Sequence, residues 1–454
     1  MNFNLGAAHV APHLVSRIPH LVSRIMNHTN TIILGAGLSG LGCARALPGA
    51  RVFEASSHPG GHCWSHELDG VFFDEGAHIC HAKDPEWLKL LYNAAGAVEQ
   101  IPASSVANYW QGHWFTYPVQ NHLAELPVDA RVAAMKGFIT ALQSRKDSEP
   151  ANYLEWCRGQ YGDFLTEQFY RPYTNKYWRV PMEELGTDWL SGRLLPSQID
   201  RIIEGAFGQP QSSQAVFAQF HYPARGGFFA FFKPMYDGVD IQYGMRAVEI
   251  RPKRDEVVFA NGRLESYERL ASSIPLPDLV RMIPDVPVSI REAASVLRHV
   301  QLLCVNIIVS RPDLTPHHWF YIYDEEIDVS RVKVNSNVAP SSVPQGRTAL
   351  QCEIFRRMDE PMPVEALTEK AVRDMGRLLG FDPVRDVHAS ATVPVAHAYI
   401  ISDLKRAAAV DAILPWLEAQ HIFPMGLFGR WKFIWSDAAY QSGQDTVKQI
   451  QQAK

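Results

Sequence analysis

A run of β-branched and apolar residues, Thr31 to Leu34, leads without a gap into Gly35-Ala36-Gly37-Leu38-Ser39-Gly40 and then into Leu41-Gly-Cys-Ala-Arg-Ala-Leu47. Strand, glycine turn and helix in that order demand a parallel crossover unit, because the helix must carry the chain back over the sheet it has just left. The first glycine permits the tight turn and the second lets backbone approach a pyrophosphate. The third allows helix and strand to touch, with the helix N-terminus facing the phosphates. A second strand, Ala50 to Phe53, ends at Glu54, 19 residues after Gly35, where a carboxylate accepts hydrogen bonds from ribose hydroxyls. Gly35, Gly37, Leu38, Ser39, Gly40, Glu54 and Ala55 are therefore expected to contact a dinucleotide.

The 454 residues allow two or three structural units, and 46% hydrophobic with 20% charged residues excludes a disordered or collagen-like chain. Lys plus Arg number 43 against 48 Asp plus Glu, so the net charge of -5 gives no electrostatic footprint for nucleic acid. The longest apolar runs are far too short to span a bilayer. Six cysteines are scattered without a CxxC pair, which fits reduced thiols and a cytoplasmic location. The segment PHLVSRI at residues 12–18 is repeated at 19–25, and no acidic residue precedes Glu54. Residues 1–29 are read as a disordered tail, with a basic presequence as the alternative.

Further along, Gly60-Gly61 follows Glu54 closely, and Gly426-Leu-Phe-Gly429-Arg-Trp-Lys-Phe-Ile-Trp435-Ser-Asp437 precedes a helical run from Ala438 to Ile450. Both stretches resemble motifs of the flavin-containing amine oxidase group, which implies one FAD site built from the two ends of the chain. Gly60, Gly61, His62, Gly429, Asp437 and Ala438 join the expected cofactor contacts. Asp74-Glu75-Gly76-Ala77-His78 resembles a flavin-facing glycine-glycine-histidine loop. Phe115-Thr-Tyr117-Pro-Val-Gln120-Asn121, the run Phe169 to Trp178, Trp189-Leu-Ser-Gly-Arg193 and Tyr222-Pro-Ala-Arg-Gly-Gly227 follow in order. Together they resemble UDP-galactopyranose mutase and its relatives, which share ancestry with protoporphyrinogen oxidase and the amine oxidases.

The resemblance implies an α/β (α+β) fold: a discontinuous Rossmann-type FAD domain, a helical insert and an antiparallel-sheet substrate domain. The expected division is 30–84, 215–285 and 421–454 for FAD, 124–214 for the insert, and 85–123 with 286–420 for the substrate. It also implies pyranose–furanose interconversion of a nucleotide sugar, with no net redox change. The reduced flavin N5 takes the anomeric carbon, the nucleoside diphosphate leaves and the sugar recloses in the other ring size, so an external reductant is required. Arg193 and Arg331 would hold the diphosphate, since a guanidinium offers a planar, permanently charged fork. Tyr399 would add a hydroxyl, and Tyr117, Gln120, Asn121 and Trp178 would shape the base and sugar pocket. Gly76, Ala77 and His78 would lie against the flavin, and Val248 would hold its adenosine end.

Departures from the pattern stand beside these matches. Val338 and Phe433 occupy places where tyrosines are expected, and Leu427 a place where an arginine near the flavin is expected. An FAD-dependent oxidoreductase acting on a small molecule is therefore the alternative, with a non-catalytic flavin protein as a third reading. The cluster His58, His62, Cys63, His66, His78, Cys80 and His81 matches no regular zinc spacing, so no metal is expected. Val132, Met135, Ile139 and Leu142 recur at helical spacing and are expected to face the core. Pro340 to Gly346 reads as a polar turn over the site. Base, sugar and oligomeric state are left open, and self-association is compatible with the sequence.

Overall fold

The computed structural model describes residues 30–145, 148–191, 193–194, 196–208 and 219–453, so the expected tail lies outside the described residues. Thr31–Leu34 forms a fully buried central strand, as its β-branched residues require. It pairs in parallel with Arg269–Ser272 on one side and Arg51–Phe53 on the other, while Ile422–Pro424 and Ile241–Gln242 complete a five-stranded parallel sheet. Its strands come from well-separated parts of the chain, which makes this half of the fold discontinuous. Beside it lies an antiparallel sheet of Ala247–Arg251, Glu256–Phe259 and Leu264–Ser266.

The second large layer is a seven-stranded sheet in the order Val387–Ile400, His299–Val309, Thr348–Arg357, Arg331–Val334, Trp319–Ile322, Val106–Trp110, His113–Thr116. Its pairings are antiparallel except where Trp319–Ile322 meets Val106–Trp110. Val98–Ile101 does not join this sheet; it pairs with Phe220–Pro223 instead.

Helices Val128–Gln143, Tyr153–Leu165 and Arg171–Tyr177 build the insert. Val132 and Ile139 do not face the core: they are 44% and 48% exposed, while Met135 and Leu142 are half-buried. The buried stripe is Ala130, Ala134, Phe138 and Ala141. The reason is close approach. At Gly162 (φ +80°) the second helix breaks, and a Cβ there would lie 2.2 Å from the Gly137 carbonyl carbon, so only a face of small residues can sit against it. The insert is tied to the seven-stranded sheet by the buried Lys176, whose ammonium donates to the carbonyls of Ile322, Asp324 and Val329.

Helix Leu38–Ala46 packs against the C-terminal helix Ser436–Gln452 through backbone rather than side chains. A Cβ on Gly42 would fall 2.1 Å from the Tyr440 carbonyl oxygen, and one on Gly443 would fall 1.9 Å from that of Ser39. Gly443→Val should therefore destabilise the protein by about 1–3 kcal/mol or more, as overpacking of a close interface does. The check is the midpoint of thermal or urea unfolding; an unchanged midpoint would mean that the two helices can separate freely.

Candidate flavin and substrate cavity

Four parallel strands end at one place. Gly35, Glu54, Ser273 and Met425 each follow the last residue of a strand, and all four line a cavity of about 740 Å³. Ligands of open parallel sheets bind at these carboxyl ends. The opposite wall comes from the seven-stranded sheet through Leu302, Tyr321, Arg331, Lys333, His397 and Tyr399.

The sheet end is shaped for backbone contact. Gly35 takes φ +96°, and helix Leu38–Ala46 starts at Gly37 with no side-chain cap. The nearest atom to a Cβ built on Gly37 is the Gly61 Cα at 3.9 Å, and one on Gly61 would lie 3.1 Å from the Gly37 Cα. Two glycine turns thus meet with no side chain between them, leaving uncapped helix N–H groups beside the cavity. Glu54 accepts from the Ala36 N–H at 2.7 Å and the Ser56 N–H at 2.8 Å, which fixes its carboxylate at the same wall.

The loop after Val71–Asp74 is held by buried charges. Asp74 accepts from Lys333 Nζ (2.7 Å), Tyr222 hydroxyl (2.6 Å), Ser65 Oγ (2.7 Å) and the Phe228 N–H (2.9 Å). Burial alone would raise its pKa, but the Lys333 charge and the hydrogen bonds around the carboxylate together keep it below the ordinary carboxylate range. Glu353, fully buried, binds Arg331 through both oxygens at 2.6 and 2.9 Å and also accepts the Ala77 N–H at 2.7 Å. His78 lines the cavity between these two anchors, pushed down to about 4 by burial and therefore neutral; its Nδ1 has no hydrogen-bond partner among the described residues.

The other end is aromatic. The Arg193 guanidinium lies 3.8 Å over the Phe433 ring and 4.8 Å over Trp435. Phe433 stacks on Tyr399 at 5.4 Å with the rings nearly parallel, and Tyr399 meets Tyr177 at 5.2 Å. Arg193 donates only to the carbonyls of Trp189 and Phe433, its Nε is buried without a partner, and no carboxylate pairs with it among the described residues. Burial lowers its pKa to about 10, so it remains charged. Tyr177 and Tyr399 line the cavity together with Arg193 and Arg331.

The family model for flavin-containing amine oxidoreductases matches residues 38–404. The chain belongs to that family. Among solved structures, it superposes on a reduced UDP-galactopyranose mutase with a TM-score of 0.87, 22% identity, and coverage of 94% of this chain and 95% of that one. A protein of Exiguobacterium sp. 255-15 described as a protoporphyrinogen oxidase gives 0.74 at 15% identity, covering 94% and 100%. A putrescine oxidase variant gives 0.61 at 15% identity, covering 93% and 99%. At these identities the likeness is one of fold.

As a member of the flavin-containing amine oxidoreductase family, the protein has FAD as its cofactor. The facing Gly37 and Gly61 turns, the Glu54 carboxylate and the unpartnered His78 Nδ1 fit it: a long, doubly charged nucleotide needs bare backbone at its pyrophosphate and polar groups along its length. Of the expected cofactor contacts, Gly35, Gly37, Leu38, Ser39, Glu54, Gly60, Gly61, His62, Ala77, His78 and Asp437 line the cavity. Others stand behind it. Gly40 lies under the Gly35 carbonyl, Gly76 against Glu353 and Gly429 against the Ser272 carbonyl. Ala55 and Ala438 are outside the lining, and the Val248 side chain is exposed at an irregularity in its strand, while Arg246 reaches the cavity.

Of the expected substrate residues, Arg193, Arg331, Tyr399, Tyr117 and Trp178 share the cavity, but Gln120 and Asn121 do not line it. Gln120 is buried and accepts from the Tyr170 hydroxyl, and the Asn121 backbone is covered by Gly205. The 340–346 turn lies away from the cavity lining, its Ser341 donating to Glu99. In the 58–81 stretch, His62 and His66 both bond Glu75, at 2.9 and 3.1 Å. Among the described residues no cluster of three metal-ligating side chains is placed to hold an ion, and no helix is long and apolar enough to cross a membrane.

Lys333 and Glu353 escaped sequence reasoning. The signal for each was an isolated charge in a buried strand, with Lys333 two residues from Arg331 and so on the same face.

Glu75 yields a pH test. Burial would raise its pKa, but the His62 and His66 hydrogen bonds outweigh this and hold it down to about 2. A folded-state pKa below the unfolded one adds stability that is complete above about pH 4.5 and disappears as the pH falls toward 2. Glu75→Gln should cost on the order of 2–3 kcal/mol just above pH 4.5, with the difference from wild type vanishing in strong acid. Urea unfolding across the acid range measures it, and a constant difference at every pH would contradict the linkage.

Proposed function

We propose that the protein is an FAD-dependent sugar-nucleotide mutase that interconverts the pyranose and furanose forms of a nucleoside diphosphate sugar. The observation that carries this reading is Arg193: a half-buried guanidinium, unopposed by any described carboxylate, at the aromatic end of the flavin cavity. An uncompensated cation in such a place favours an anionic group strongly, because little water screens it. The fold likeness to the mutase supports the same reading.

When bound, FAD supplies an electron-rich ring nitrogen in its reduced state and a two-electron acceptor in its oxidised state. The chain's own residues bind and orient. Arg193 would take the diphosphate, with the Tyr399 and Tyr177 hydroxyls donating beside it, and would stabilise the charge that gathers there as the diphosphate departs. Tyr117 and Trp178 would close the pocket around base and sugar and exclude water. Arg331 is held rigid by Glu353, and that pairing offsets much of its charge, so its part is directional rather than electrostatic. The same pairing favours the second reading, an FAD-dependent oxidoreductase whose small substrate sits among aromatic rings.

Turnover separates the two. Holoenzyme reduced with dithionite under nitrogen should convert UDP-galactopyranose or another nucleotide sugar, followed by chromatography, while oxidised enzyme should be inactive. Several turnovers by oxidised enzyme with stoichiometric oxygen uptake would sink the mutase reading. Arg193→Ala should weaken binding of a nucleoside diphosphate about 10- to 100-fold, the loss expected for a charge-assisted contact, with FAD retained. Quenching of tryptophan fluorescence by UDP measures this, and unchanged affinity would remove Arg193 from the site.

A further inference from the structure

A second set of titratable groups faces the same cavity from a wall the proposed mechanism leaves unused. His397 lines it, and its Nε2 lies 3.1 Å from Asp278 Oδ2. The Asp278 carboxylate is held on its other oxygen by Arg281, whose Nε donates to the Pro277 carbonyl. The His397 ring is stacked at 4.2 Å on His299, which is buried and pushed down to about 4 by burial, and so is a neutral platform. Pairing between Val387–Ile400 and its neighbour shifts register opposite residues 396–398, and such irregularities re-aim side chains. With Nε2 taken by the carboxylate, Nδ1 is the ring nitrogen left over; no other described residue bonds it.

The pair lies on the flavin side of the cavity. Phe428, in the C-terminal flavin segment, meets His397 at 5.9 Å and His62 at 5.3 Å, and His62 in turn holds Glu75, next to the loop that ends at His78. His397 and the 75–78 loop therefore flank one stretch of the cavity. The titratable and charged groups facing His397 are Asp278 and Arg281 from their helix and His299 from the neighbouring strand. Arg406 bonds the carbonyl of Trp431, whose ring packs on His299, and His62 and Glu75 lie beyond Phe428.

We propose that the Asp278–His397 pair is a second acid–base centre of this cavity, which takes up a proton at His397 when negative charge arrives on the bound flavin. Asp278 stabilises the imidazolium and fixes its tautomer, and Nδ1 points the resulting N–H toward the cavity. The inference rests on FAD binding and not on the mutase reading. It holds or fails whichever substrate the enzyme takes.

Spectroelectrochemical titration of the FAD-loaded protein, from about pH 5 to about pH 9, tests it. The slope of the flavin midpoint potential against pH counts protons taken up with the electrons. Wild type should show an additional proton over a window that disappears in His397→Gln and moves in Asp278→Asn, each variant checked for full FAD content. Superimposable curves for wild type and His397→Gln would overturn the proposal. Should the variants fail to load FAD, ¹⁵N-histidine NMR of the wild-type holoenzyme decides. One neutral imidazole must become an imidazolium on reduction, and the absence of any such change would overturn the proposal equally.

Discussion

The ion pair between Asp74 and Lys333 joins the two halves of the molecule. Asp74 ends a short strand that leads into the flavin-facing loop, and Lys333 projects from the seven-stranded sheet. Both side chains are buried, which is costly unless every polar atom is paired. Here Tyr222, Ser65 and the Phe228 backbone complete the carboxylate's shell, and Lys333 also lies over the Tyr222 ring. Removing one partner would leave an uncompensated charge at the base of the cavity. Glu353 repeats the arrangement a few residues on, joining Arg331 to the Ala77 N–H. The loop after Asp74 is thus fastened twice to the seven-stranded sheet, so the spacing of these two walls of the cavity is set by buried electrostatics.

Charge at the cavity follows a consistent division. Near the flavin loop each cation has its anion: Lys333 with Asp74, Arg331 with Glu353. At the aromatic end Arg193 has rings instead of a carboxylate. A net charge of -5 over the chain says nothing about this, because a single unpaired guanidinium in a half-buried site outweighs many solvated carboxylates at the surface. Phe433 keeps the stacking surface that a tyrosine would offer while surrendering its hydroxyl, and Tyr177 places a phenol close by.

Local chemistry made the glycine turn, Glu54 and the first two parallel strands readable from residues alone, since each depends on backbone constraints that act within a few positions. The order of the seven-stranded sheet was not readable, because strand neighbours there are set by packing between distant segments. Side-chain direction was harder still. Val132 and Ile139 have the period of a core face, yet the close approach of Gly137 to Gly162 turns the alanine stripe inward instead. Gln120 and Asn121 match a motif by type, but Gln120 is bonded to Tyr170, the Asn121 backbone lies against Gly205, and neither lines the cavity. Buried charges such as Lys333 and Glu353 acquire meaning only when their partners, far away in sequence, are brought beside them.

The glycine contact between the first helix and the last has a consequence for biosynthesis. The glycine turn after Thr31–Leu34 comes early in these 454 residues, whereas the helix packed on the one it opens, and the edge strand Ile422–Pro424 of the same sheet, come much later. Until residues 422–452 emerge, the parallel sheet lacks an edge strand and the first helix has its glycine face open to water. A chain cut short of Ser436–Gln452 would leave the backbone of the first helix uncovered along its glycine face.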